Sequence, residues 1–282
     1  MTGAGPPVPA VPHDTGGPGT ALVRRPGPRL ADGLLTHLER TAVDTDLALA
    51  QWEGYVAALR GAGWRVVEVP PADSHPDAVF VEDTVVVHGD LAVLTRPGAP
   101  ERRGEVAAVE PVLRELGLEV AHVEAPATLD GGDVLQVGPT VHVGVGGRTD
   151  AAGVAALRAL LEPRGARVVP VPVERVLHLK SAVTALPDGT VLGHPPVADP
   201  DPWPRFRAVP EESGAHVVRL GGRRLLLAAD APRTADLLRG LGWEPVAVDV
   251  SEFQRLEGCV TCLSVRLRRG CRGPCRSGPR AP

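Results

Sequence analysis

Isoleucine and asparagine are absent from this 282-residue chain, and Lys180 is its one lysine against 29 arginines. Valine standing for isoleucine and arginine for lysine throughout is the imprint of a GC-rich coding sequence, so those two preferences say little about function. Long apolar runs are missing too, which excludes a membrane-spanning helix. With a net charge of −4 and no basic face, the chain is not built to bind nucleic acid. The first residues have neither the charged start nor the apolar stretch of a signal peptide, so cytoplasmic residence with reduced thiols is expected. Residues 1–19 and 269–282 are rich in glycine, proline or arginine and read as a disordered leader and tail. One folded domain is expected between them, over 20–268.

What the chain does have is a repeat. A glycine followed by a short valine-rich stretch begins at Gly63, Gly117, Gly165, Gly214 and Gly242, at intervals of 54, 48, 49 and 28 residues. Glycine suits the end of a helix, where a positive φ carries no Cβ penalty, and the valines suit strands. Helical stripes precede several of these glycines. Trp52, Val56 and Leu59 form one, with Tyr55 beside them. A second, Val106, Val109, Leu113 and Leu116, is shortened or kinked by Pro111. The third, Val154, Leu157 and Leu161, follows a capping Thr149-Asp150. Mixed α/β units at such a period predict a radial array in which equivalent segments meet at one axis. Asp77, Asp130, His178 and Cys262 follow the repeat glycines by 14, 13, 13 and 20 residues, so ring closure would gather them. The plainer alternative is that these are ordinary helix-to-strand turns of any α/β protein.

Cysteine, histidine and a carboxylate are the parts of a covalent hydrolase: nucleophile, proton carrier and orienter. Asp130 lies in TLDGGD, His178 in LHLKS and Cys262 in GCVTCLS. Glu82 and Asp83 interrupt AVFVEDTVVV, read as a strand, where an unpaired buried carboxylate would be very costly. Neighbouring strand residues face opposite sides, and Asp77 would stand roughly 20 Å from Asp83 in an unbroken strand, so a shared ligand requires a bend.

Together these motifs resemble the dimethylargininases of the pentein, or guanidine-modifying, superfamily. The match comprises PDAVFVEDT from Pro76, TRPGAP from Thr95, LDGGDV, GRTD from Gly147, HLKS and GCVTCLSVR, in the family's order between Ala21 and Leu267. The resemblance implies a fivefold pseudosymmetric α/β propeller. It implies hydrolysis of Nω-methylated arginine to citrulline and dimethylamine or methylamine, through a thiouronium on Cys262 and with no cofactor. Cys262 corresponds to the nucleophile, which the bound cation and a protonated His178 would stabilise as thiolate. His178 corresponds to the proton carrier and Asp130 to its orienter, with Asp133 as the other candidate. Asp77, Glu82 and Asp83 match residues on the guanidinium side; Arg96 and Arg148 match binders of the α-carboxylate. Carbonyls of Leu30 and Leu256 would meet the α-amine, Leu30 from a mobile lid. The implied partner is a small-molecule substrate. A homodimer is compatible with the family, although nothing in the sequence sets the oligomeric state.

Two alternatives differ in chemistry. An arginine deiminase would share the acid, histidine and cysteine but release ammonia from unmethylated arginine; the chain lacks sequence for the helical domain such enzymes generally carry. Cys259, Cys262, Cys271 and Cys275 superficially resemble a four-thiolate zinc site, but the eight-residue gap between the pairs is short.

Overall fold

The computed structural model describes residues 17–268. The expected leader, apart from residues 17–19, and the whole expected tail, including Cys271 and Cys275, lie outside the described residues.

Strand β1 (Thr20–Val23) leads through helix α1 (Thr45–Gly61) to β2 (Arg65–Glu68), which lies parallel to β1. The next unit is β3 (Val85–His88), β4 (Leu91–Leu94), α2 (Val109–Glu115) and β5 (Glu119–His122); β3 is antiparallel and β5 parallel to β4. The pattern repeats with β6 (Val134–Val137), β7 (Thr140–Val145), α3 (Ala151–Leu161) and β8 (Arg167–Pro172). A short α4 (Leu179–Ala182) precedes β9 (Val183–Ala185), β10 (Val191–Gly193) and β11 (Phe206–Ala208). The last unit is β12 (Val218–Gly221), β13 (Arg224–Ala228), α5 (Pro232–Gly240) and β14 (Glu244–Val248). After α6 (Ser251–Gln254), β15 (Val265–Leu267) returns to pair antiparallel with β1, placing Val265 opposite Leu22. The first sheet is thus made from both ends of the fold, and the five three-stranded sheets close into a fivefold pseudosymmetric α/β propeller.

Local chemistry explains most element boundaries. Asp44 caps α1 by accepting the N–H groups of Asp46 and Leu47, satisfying donors that the first turn leaves open. The helix buries Trp52, Tyr55, Val56 and Leu59, each contributing roughly 1.5–3 kcal/mol. Asp150 caps α3 through Gly153 N–H. Pro111 sits in the first turn of α2, where a missing N–H does no harm, so the helix is short and the stripe's Val106 lies ahead of it. Gly63, Gly117, Gly165 and Gly242 adopt φ of 90, 81, 86 and 85°, the left-handed turn from helix into strand.

Gly214 departs from the expected repeat. It lies in a 3-10 turn, Ser213–Ala215, and ends no helix. Its lack of a side chain serves close packing instead, since a Cβ there would overlap Thr234. Between β10 and β11 the chain reads HPPVADPDPWPR, and those prolines forbid a helix. Buried Ala198 and Trp203 fill this position, and Trp203 packs on His142 with ring centroids 4.6 Å apart. The third strand of this unit is therefore Phe206–Ala208. Val218–Gly221, expected to close it, opens the fifth unit.

Apolar clusters lie between neighbouring units and beneath the helices; Leu22, Val81, Val85, Leu94 and Val265 form part of one. The axis itself is polar. Four of the five connections from the third strand of one unit to the first strand of the next carry candidate site residues: Asp77 to Asp83 before β3, Asp130 before β6, His178 before β9 and Cys262 before β15.

Candidate active site

The stretch AVFVEDTVVV is not one strand. Phe80 N–H bonds to the Asp77 carbonyl at 2.9 Å and Asp83 N–H to the Phe80 carbonyl at 3.2 Å, winding the chain into a 3-10 turn, Val81–Thr84, before β3. This coil provides the required bend. Asp77 and Asp83 both line a hollow of about 310 Å³, counting its open mouth, together with Arg148, His178, Leu256 and Cys262. Leu34, Phe80 and Leu177 supply apolar wall.

His178 is buried with its Nε2 3.0 Å from Oδ2 of Asp130. The other Asp130 oxygen accepts Gly98 N–H at 2.9 Å. Asp133 holds the frame around the ring: it accepts the Thr149 hydroxyl at 2.6 Å and Leu179 N–H at 2.9 Å. Of the two candidate orienters, Asp130 is the one that meets the imidazole. Burial works against a charged ring, yet Asp83, the hydrogen bond to Asp130 and the Asp133 carboxylate outweigh it and raise His178 to about 9. The imidazole is therefore a cation at neutral pH.

Asp83 faces His178 Nδ1 at 3.9 Å and accepts Gly132 N–H at 2.8 Å with the same oxygen. Its other oxygen meets Arg102 at 2.6 Å. Burial favours the neutral acid, but the charges of His178 and Arg102 prevail and hold Asp83 well below the usual carboxylate range. Arg102, buried, also grips Glu105 with two bonds of 3.0 and 2.8 Å. Neither Arg102 nor Glu105 was identified as a site residue from sequence. Their one signal is an Arg-x-x-Glu spacing just after TRPGAP.

Glu82 is buried but does not line the hollow; Lys180 lies 2.6 Å and Arg266 3.2 Å from its Oε1. Its Oε2 is buried without a hydrogen-bond partner, as is Nη1 of Arg148, which points at Asp130 Oδ2 from 3.9 Å. Arg96 is placed elsewhere. Its guanidinium donates to the carbonyls of Pro126 and Ala127, just before its bridge partner Leu129, and lines a separate cleft. Leu30 is buried in a 3-10 turn, Leu30–Asp32, while Leu34 of the same segment lines the hollow. Leu34 N–H donates to both oxygens of Asp77 at 3.2 and 3.1 Å, and burial raises the pKa of Asp77.

Cys259 and Cys262 are buried with their sulfurs 3.3 Å apart, and Cys259 N–H donates to the Cys262 sulfur at 3.4 Å. The hydrogen bond between the two sulfurs pulls Cys259 down, whereas that same bond, burial and the carboxylates of Glu82 and Asp83 push Cys262 up.

Oxygen and nitrogen atoms of Asp83, Asp130 and His178 lie within 4.8 Å of one another, a spacing that could hold a cation. Each of the four carboxylate oxygens there already accepts one hydrogen bond, from Arg102, Gly132, Gly98 or His178. Among the described residues no helix is long and apolar enough to cross a membrane.

A propeller of this kind with thiol, imidazole and carboxylates at its axis defines the pentein class of guanidino-group hydrolases. The arginine deiminase family model matches residues 63–218. The chain is 66% identical over 249 residues to the N(G),N(G)-dimethylarginine dimethylaminohydrolase of Streptomyces coelicolor, covering 88% of this chain and 96% of that one. The enzyme of the same name from Pseudomonas aeruginosa is 34% identical over 251 residues, 87% of this chain and 98% of that one. A solved structure of the Pseudomonas aeruginosa protein, a cysteine-to-serine mutant complexed with citrulline, superposes with a TM-score of 0.83 at 32% identity, covering 89% of this chain and all of that one. The chain belongs to the dimethylarginine dimethylaminohydrolase family and is an enzyme of that hydrolase class.

Proposed function

We propose that this enzyme hydrolyses Nω-methylated arginine to citrulline and dimethylamine or methylamine, through a covalent thiouronium on Cys262. The observation that carries this reading is the meeting of Cys262, His178, Asp83 and Arg148 around one hollow.

A guanidinium carbon is a poor electrophile because resonance spreads its charge over three nitrogens. Asp83, ionised at the hollow's wall, attracts the cation, and Asp77 adds a second carboxyl group where Leu34 N–H now sits. The Nη1 of Arg148, without a hydrogen-bond partner, is a donor for the α-carboxylate, and Leu256, which lines the hollow, offers its carbonyl to the α-amine; Leu30 would join it only by a shift of its segment, since its carbonyl accepts Gly33 N–H at 3.0 Å outside the hollow. Arg96 would join Arg148 only by leaving its two carbonyl partners. A cation beside Cys262 offsets Glu82 and Asp83, favours the thiolate and so couples activation of the nucleophile to substrate binding. The thiolate then attacks the guanidinium carbon. Protonated His178, oriented by Asp130, gives its proton to the departing amine and later takes one from the water that hydrolyses the thiouronium. Phe80, Leu34 and Leu177 offer apolar surface to methyl groups.

A second reading, deimination of unmethylated arginine, shares this machinery and the matched family model. Citrulline formation from asymmetric dimethylarginine, monomethylarginine and arginine separates them. The methylated substrates should show the higher kcat/KM; preference for arginine would defeat the methylarginine assignment.

A further inference from the structure

Cys259 has no task in that chemistry, yet its sulfur lies 3.3 Å from that of Cys262. Cys262 lines the hollow and Cys259 sits behind it, joined through a turn in which Cys262 N–H donates to the Cys259 carbonyl at 3.1 Å. A disulfide has a bond length of about 2.05 Å, so the sulfurs need to approach by only about 1.2 Å across a turn that already points them together. We propose that the pair is an oxidation site: a hydroperoxide entering the hollow oxidises Cys262, and Cys259 resolves the product into an intramolecular disulfide.

The steps balance. The Cys262 thiolate attacks one peroxide oxygen and the O–O bond breaks. The peroxide gains two electrons and, with a proton, leaves as water or an alcohol, while Cys262 becomes a sulfenic acid. The Cys259 sulfur then attacks the Cys262 sulfur, the S–S bond forms, and the departing hydroxide takes the Cys259 proton as water. Overall two thiols lose two electrons and one peroxide gains them. The hydrogen bond between the sulfurs lets their shared proton move, so either can carry the negative charge the sequence requires. Without a resolving thiol, a sulfenic acid facing solvent proceeds to the irreversible sulfinic acid.

The loss of activity rests on Cys262 being the nucleophile, whereas the bond itself can be read by mass whatever the enzyme's substrate. Trypsin releases residues 256–266 as one peptide holding both thiols, while Cys271 and Cys275 fall on other peptides. After the reduced full chain is treated with hydrogen peroxide, this peptide should be lighter by two hydrogens and refuse alkylation. Dithiothreitol should restore its mass together with the enzyme's citrulline-forming activity. In Cys259→Ser the same peptide should instead gain two or three oxygens, with activity beyond rescue. Sulfinic acid in the wild-type peptide without the disulfide, a bridge to Cys271 or Cys275, or full rescue of Cys259→Ser would each overturn the proposal. Mapping of the wild type alone decides it should the variant fail to fold.

Discussion

The carboxylate of Glu257 accepts the backbone N–H of Leu38 at 2.8 Å, joining segments 219 residues apart. Thr36 N–H, at 3.1 Å, and His37 N–H donate to the same group. Glu257 is the one non-glycine residue with a positive φ among those described, at 59°, a conformation uncommon without a reason. It lines the hollow between Leu256 and Gly258, so it latches the segment that carries Leu34 beside that hollow. Glu257→Gln keeps the shape and removes the charge. Hydrogen bonds to a charged group are worth about 1.5–3 kcal/mol, so KM should rise roughly tenfold with a smaller change in kcat. Steady-state kinetics, with limited proteolysis of residues 29–43 as a structural readout, checks it; an unchanged KM and cleavage rate would remove the latch.

The two thiols predict opposite outcomes. Cys262→Ser should reduce turnover to background, since a hydroxyl at this site lacks the nucleophilicity of a thiolate. Cys259→Ser should retain most of it. Single-turnover mass spectrometry should find a substrate-derived adduct on residues 256–266 in the wild type and in Cys259→Ser, and none in Cys262→Ser.

His178 links activity and stability to pH. Its folded pKa of about 9 stands above the ordinary 6.5, so charging it favours the fold. That stability is fully present below pH 6.5 and is lost as pH rises through about 9, and thermal melts should show Tm falling across this window. The acid form is also the one that protonates the leaving amine, so kcat should decline on the same alkaline limb. Asp130→Asn removes a charge and a charge-assisted hydrogen bond, and should move that limb to lower pH. A limb unmoved by this variant would assign the ionisation to another group.

Arg102 tests the buried charges. Arg102→Met would leave Asp83 and Glu105 without their cation, and breaking a buried pair in this way costs about 3–5 kcal/mol. Urea denaturation should report that loss. Arg102→Lys keeps the charge but loses the two-pronged grip on Glu105, so its loss should be smaller.

Arg148 carries the unpartnered buried Nη1, and Arg148→Lys would replace a planar fork with a point charge. KM for the amino-acid substrate should rise by about tenfold, roughly 1.4 kcal/mol, with kcat less affected. Equal losses in both would place Arg148 in the chemical step instead.

Much of the fold was legible because its signals are local. Gly63, Gly117, Gly165 and Gly242 announce left-handed helix ends, Asp150 is a helix cap, and the stripes through Trp52 and Val154 are the buried faces of α1 and α3. Where glycine serves a different purpose the reading failed: Gly214 makes room for Thr234, and the prolines of residues 195–204 remove the helix that would have completed the repeat. Glu82 and Asp83 read as strand residues by their valine neighbours, but turn hydrogen bonds coil them.

Side-chain types and their intervals, then, determined by themselves that acid and base would recur at matching places in two units, with the thiol after the last. They did not determine which groups touch. Lys180 on Glu82, Arg102 between Asp83 and Glu105, and Arg96 turned to the carbonyls of residues 126 and 127 were decided by the packing of neighbouring segments, Cys259 against Cys262 by a local turn, and Arg266 on Glu82 when β15 paired with β1 and closed the ring. The physical reason is range. Propensities and caps act over a few residues, whereas a buried charge takes its partner from whatever closure brings within about 4 Å, often from the far end of the chain.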